Sequence, residues 1–111
     1  MMRPPQEEAI REITRRLVEH FQPVRIYLFG STARGEAGPD SDLDFCVVVP
    51  DDTPESKLRV GAIWEAVRGV GRANDVVPWR RTDFERRASM VTTSLPATIV
   101  REGRILYDAA H

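Results

Sequence analysis

The residues best suited to chemistry are Gly30-Ser31 and, a short loop later, Asp42 and Asp44, two carboxylates one residue apart. Around them the chain reads Leu28-Phe29-Gly30-Ser31-Thr32-Ala33-Arg34-Gly35 and then Ser41-Asp42-Leu43-Asp44. A small turn after an apolar run offers backbone donors to phosphate oxygens. Paired carboxylates offer oxygen ligands to magnesium. Nucleoside triphosphate chemistry needs both. A third carboxylate, Asp75, opens a later run, Asp75-Val76-Val77-Pro78-Trp79.

The elements that must position these groups follow from periodicity and breakers. Pro4 and Pro5 can open a helix, in which Ile10, Ile13, Leu17 and Phe21 fall at helical spacing until Pro23 ends it. Val24 to Phe29 reads as a short buried strand broken by Gly30-Ser31, and Thr32 to Gly35 as one helical turn. Gly38-Pro39-Asp40 is a turn signal. Leu43 to Val49 is apolar and β-branched, hence a central strand. Thr53 as N-cap and Pro54 at the first helical position start a second helix, with Leu58, Ile63 (or Ala62) and Val67 on its apolar face. Gly69 and Gly71 release it. Asp75 to Trp79 is the third strand, and Thr82 caps a short helix through Arg87. Leu95 to Glu102 is another helix, with Ser94 as N-cap and Gly103 as its stop, before a last strand Arg104 to Tyr107. The order implies an α+β fold, a mixed sheet flanked by helices.

That order also predicts where the carboxylates meet. Side chains alternate along a strand, so Asp42 and Asp44 share a face. The helical crossover to Asp75 makes the second and third strands parallel, which brings both their beginnings to one edge of the sheet. The short link from Gly30 to Asp42 implies that the first two strands run antiparallel, so Gly30-Ser31 arrives at the same edge. Three crowded carboxylates raise one another's pKa, and divalent cations relieve that repulsion. Two such ions about 3.5–4 Å apart could activate an attacking hydroxyl and stabilise a leaving pyrophosphate. Taken singly, a Gly-Ser is an ordinary turn and Asp-Leu-Asp an ordinary solvated strand start. The combination carries the argument.

At 111 residues the chain reads as one domain, 1–111, with one hydrophobic core. The net charge of -1 gives no electrostatic basis for direct nucleic-acid binding. No apolar stretch is long enough to span a membrane, and Met1 to Gln6 lacks the apolar core of a signal peptide, so a cytoplasmic protein is expected. Cys46, the sole cysteine, sits in the run Phe45-Cys46-Val47-Val48-Val49 and reads as a small core side chain.

At Gly30-Ser31, Ala33-Arg34-Gly35, Ser41-Asp42-Leu43-Asp44 and Asp75 the chain resembles the nucleotidyltransferase superfamily that includes DNA polymerase beta. More closely it resembles the minimal nucleotidyltransferases, the MNT or MntA-type antitoxins. The ending Ile99-Val100-Arg101-Glu102-Gly103-Arg104-Ile105-Leu106-Tyr107 matches the usual close of that family. The resemblance implies the polymerase beta-like palm fold and transfer of AMP from ATP onto a hydroxyl. It implies that Gly30 and Ser31 hold the triphosphate, with Arg34 meeting a phosphate or bracing the loop. Asp42 and Asp44 would bind Mg2+, and Asp75 would ligate the catalytic metal and orient or deprotonate the acceptor. It further implies a HEPN-type toxin as partner, modified on a tyrosine. A small-molecule acceptor of the aminoglycoside kind, or an antitoxin that neutralises its partner by binding alone, are the rival readings.

Other residues have plainer readings. Trp79 lies at the far end of its strand and reads as packing, Trp64 as core or partner contact. Arg80, Arg81, Arg86 and Arg87 form a basic cluster that reads as a solvated face ahead of a contact with an acidic partner or RNA. Asp51-Asp52 reads as turn chemistry and helix approach. His20 sits near a helix end and His111 is terminal, and neither has a ligand-spaced neighbour, so no zinc site is expected.

Overall fold

The computed structural model describes residues 6–30 and 42–110. Along them run α1 (Gln6–Phe21), β1 (Arg25–Phe29), β2 (Leu43–Val49), α2 (Glu55–Leu58) and α3 (Val60–Val67). There follow β3 (Asn74–Arg80), α4 (Arg81–Met90), α5 (Leu95–Glu102) and β4 (Arg104–Asp108). The strands form one sheet in the order β3-β2-β1-β4. β1 is antiparallel to both β2 and β4, whereas β2 and β3 are parallel. The mixed sheet expected from the sequence is thus present, as is the α+β class.

Sequence alternation decides which layer covers which face. Leu43, Phe45, Val47 and Val49 of β2 join Ile26 and Leu28 of β1 against α1 and α3, where Ile13, Leu17 and Ile63 are buried. On the other face Cys46 and Val48 join Tyr27, with Phe84 of α4 and Ile99 of α5 closing over them. β2 is therefore buried on both sides, which is why its run is continuously apolar after Asp44. Cys46 is inside this second cluster, and burial pushes its thiol up to about 12, consistent with an inert core side chain.

Phe84 anchors that second layer. It is 2% exposed, stacks on Tyr27 at 5.8 Å between ring centroids and meets Trp79 edge-on at 6.3 Å. Phe84→Ala should cost about 3 kcal/mol of unfolding free energy, read from a denaturant titration. A loss below about 1 kcal/mol would show that α4 is not held to the sheet by this ring.

Helix ends follow the sequence signals where those are local. Ser94 accepts from the Ala97 N–H at 3.2 Å, and the Gly103 N–H donates to the Ile99 carbonyl at 2.7 Å, so α5 begins and ends as read. Two expectations are corrected. Thr53 does not cap a helix: it is buried, its N–H donates to Pro50 O and its carbonyl accepts from Arg80. These bonds hold Thr53 in the turn, and the helix starts after Pro54 and breaks at Arg59, just before the poor helix formers Val60 and Gly61. Thr82 is likewise no cap. It lies inside the first turn of α4, where its N–H (2.9 Å) and hydroxyl both donate to the Asp51 carboxylate. Asp51 therefore caps α4 from a distant loop, and those bonds hold its carboxyl below the usual range.

Candidate active site

Register alone brings the key residues together. In the antiparallel β1–β2 pair Phe29 faces Asp44, and in the parallel β2–β3 pair Asp44 faces Asp75. Phe29 leads directly into Gly30, so the end of β1 and the beginnings of β2 and β3 meet at one edge of the sheet. Asp42 precedes β2 by one residue. Strand alternation places Asp42 and Asp44 on the face that Cys46 and Val48 bury under α4 and α5. Asp75 lies beside Asp44 on that face through the register. Asp42 and Asp75 are exposed, and Asp44 is half-buried.

Gly30 adopts φ +77°, a left-handed conformation that glycine tolerates at little cost. A Cβ built there would stand 2.6 Å from Asp44 Oδ2. Backbone and carboxylate are therefore packed as closely as a hydrogen atom on Cα allows. Asp44 also senses its neighbours: burial, then the charge of Asp75, then that of Asp42, raise its pKa above the ordinary value. All three groups act within one local field.

This donor set suits a hard divalent cation, because it consists of carboxylate oxygens whose mutual repulsion a cation relieves. Among the described residues, no group of three or more His, Cys, Asp or Glu side chains is placed so that it could hold a metal ion as it stands. Of the residues singled out in the sequence, Gly30, Asp42, Asp44 and Asp75 are brought to this edge, whereas Ser31 and Arg34 lie outside the described residues.

A family model for the nucleotidyltransferase domain matches residues 10–106, from α1 to β4. The chain belongs to the nucleotidyltransferase domain family. The expected polymerase beta-like fold of a minimal nucleotidyltransferase is met, and with it a role in nucleotidyl transfer, for which the family generally uses a nucleoside triphosphate and a divalent metal. Two solved structures share the fold. One, described as a toxin–antitoxin with AMP-PNP, is 24% identical with a TM-score of 0.61, over 88% of this chain and 72% of that one. The other, a candidate nucleotidyltransferase from Sulfolobus solfataricus, is 19% identical with a TM-score of 0.56, over 93% of this chain and 80% of that one. No curated protein matches the chain.

The remaining sequence candidates resolve into structure. Arg80 donates to the carbonyls of Asp51 and Thr53 and pairs with Glu55, and Arg81 pairs with Glu85, so this nucleotidyltransferase domain spends half of the basic cluster on its own loops and helices. Trp79 packs on Phe84, as read. Trp64 is 58% exposed, so it is not core, and the Arg68 guanidinium lies 5.5 Å from its ring centre. His20 Nε2 sits 2.9 Å from the Lys57 carbonyl and ties α1 to α2. Among the described residues no helix is long and apolar enough to cross a membrane. Sequence reasoning passed over one face of α5: Leu95, Thr98, Ile99 and Glu102 line a cleft that Gly30 also borders. Their i, i+3, i+4, i+7 spacing is visible in the sequence, but nothing local shows that β1 ends against it.

Proposed function

We propose that this nucleotidyltransferase transfers AMP from ATP to a tyrosine hydroxyl of a HEPN-type toxin in the cytoplasm, and so acts as its antitoxin. The observation that carries the reading is the meeting of Gly30, Asp44 and Asp75 on three adjacent strand ends, with Asp42 beside them. The fold it shares with a protein described as a toxin–antitoxin with AMP-PNP supports the choice of nucleotide and of partner class.

In this reading the Gly30 turn admits the triphosphate close to the backbone, and Ser31 and Arg34 bind its oxygens. Asp42, Asp44 and Asp75 would hold two Mg2+ ions, which supply charge neutralisation and an activated acceptor oxygen. Asp75 orients the acceptor hydroxyl and favours loss of its proton. The acceptor oxygen bonds to the α-phosphorus, the α–β phosphoanhydride breaks, and pyrophosphate leaves. Positioning and electrostatics carry most of the rate in such transfers.

Incubation with magnesium, α-phosphate-labelled ATP and lysate of the host should label one protein band, and Asp42→Asn should remove it. Label on a small amine-rich alcohol, with no protein labelled, would replace the protein acceptor by a small molecule. Protection of cells by a triple Asp→Ala variant would replace catalysis by simple binding.

A further inference from the structure

β3 is an outermost strand of the sheet, so one side of its backbone meets no partner strand. The Leu43 N–H donates to the Ala73 carbonyl at 3.0 Å, which fixes the alternation along β3. The main-chain groups of Asp75, Val77 and Trp79 turn toward β2, and those of Asn74, Val76 and Pro78 turn outward. Pro78 fits this pattern, because a missing N–H on the outer side costs the ladder nothing. The outer edge therefore offers the N–H and carbonyl of Asn74 and Val76, and the carbonyl of Pro78.

Beside this edge runs a groove of about 220 Å3. Val60, Ile63, Trp64 and Val67 of α3 line one side, and Val76 and Pro78 of β3 the other. Val60 is 84% exposed and Trp64 58%, so the groove keeps two large apolar side chains in water. A second cleft, of about 350 Å3, shares Trp64, Val67 and Asn74 with the groove and extends to Asp42. The groove is thus continuous with the carboxylate edge. An exposed arginine stands at each end of α3: Arg59 directly precedes Val60, and Arg68 directly follows Val67. The helix dipole disfavours a cation at the N-terminal end, so α3 itself does not account for Arg59.

We propose that β3 and this groove bind an extended, apolar segment of the acceptor protein, flanked by acidic side chains, which joins the sheet as a fifth strand. Its main chain pairs with Asn74, Val76 and Pro78, the mode by which extended peptides add to an exposed sheet edge. Alternate side chains enter the groove against Val60 and Trp64, and the acidic flanks meet Arg59 and Arg68. The remaining side chains emerge on the face that carries Asp75, which is where a reacting tyrosine has to arrive. A polypeptide is the occupant that uses all three features: evenly spaced main-chain groups, an apolar groove and basic ends. This docking rests on the proposed function, in which the acceptor is a protein.

The acceptor protein isolated from the labelling reaction is the probe. With ATP and magnesium saturating, the double variant Val60→Asp/Trp64→Asp should raise the KM for that protein at least about tenfold and leave kcat unchanged, as lost uniform binding does. Its affinity for ATP, read by calorimetric titration, should match that of the parent. Arg59→Glu should raise the same KM. In residue-resolved hydrogen exchange without ATP, adding the acceptor should protect the Asn74 and Val76 amides. An unchanged KM in the double variant, or amides that exchange as fast with the acceptor as without it, overturns the docking site while the proposed function stands. Protection that appears in the chain alone and grows with its concentration gives the edge to a second copy, and also overturns it. If the parent labels no protein, the protein-acceptor reading fails and the docking site falls with it.

Discussion

Gly30→Ala should lower the transfer rate at least about a hundredfold while the protein still folds. Two separate costs arise at this position. The left-handed φ of +77° costs an alanine about 1–2 kcal/mol, which lowers the melting temperature by several degrees in a domain of this size. The added Cβ would stand 2.6 Å from Asp44 Oδ2, so the carboxylate must swing away. Asp44 is only half-buried and has room to do so, which is why the fold survives. Displacement of a reacting group by about 1 Å is enough for a hundredfold loss. Gly69 separates the two costs. Its φ is +86°, yet a Cβ there meets nothing within 4 Å. Gly69→Ala should therefore show the same fall in melting temperature with transfer unchanged. Full activity in Gly30→Ala would remove the packed Gly30–Asp44 contact from the candidate site.

Much of this geometry was legible because it depends on strand order and alternation. The run from Leu43 to Val49 reads as a central strand, and the crossover length makes β3 parallel to it, so the beginnings of both strands are expected at one edge. The direct pairing of Asp44 with Asp75 is set by the register. What sequence reasoning misplaced depends on long-range bonds. Thr53 and Thr82 both look like N-caps because the residues after them are helical. Arg80 takes the Thr53 carbonyl and Asp51 takes the Thr82 N–H, and neither partner is a near neighbour in the chain. Arg80 departs from the solvated face for the same reason, since the loop that carries Asp51 and Thr53 takes its guanidinium, whereas Arg81, Arg86 and Arg87 are exposed as read. The cleft wall on α5 was also hidden. A helix face that mixes Leu95 with Thr98 and Glu102 has no distinctive pattern until β1 is known to end against it.

Asp44→Asn should abolish transfer, by about three orders of magnitude or more, without destabilising the fold. Three orders correspond to about 4 kcal/mol of transition-state stabilisation, within what a metal site supplies to phosphoryl chemistry. The stability half of the prediction comes from the sign of the pKa shift. Burial and the charges of Asp75 and Asp42 raise the Asp44 pKa in the folded protein. The folded state thus holds this proton more firmly than the unfolded chain does. The resulting contribution to stability is fully present below the unfolded pKa, near 3.9, and is lost as pH rises through the higher folded value. At neutral pH the ionised Asp44 is a cost, and asparagine, of nearly the same shape, removes it. Other carboxyls oppose this trend: Glu7 and Asp51 are held low by Arg104 and Thr82 and lose their contribution as pH falls. They are common to both proteins and cancel in a difference curve. Melting temperatures from about pH 3 to 7 should therefore show the variant gaining on the parent as pH rises. Magnesium should raise the melting point of the parent at neutral pH, because it binds the folded carboxylates, and should do much less for the variant. A variant that is less stable at neutral pH, or that keeps the full magnesium response, would take Asp44 out of the proposed metal site.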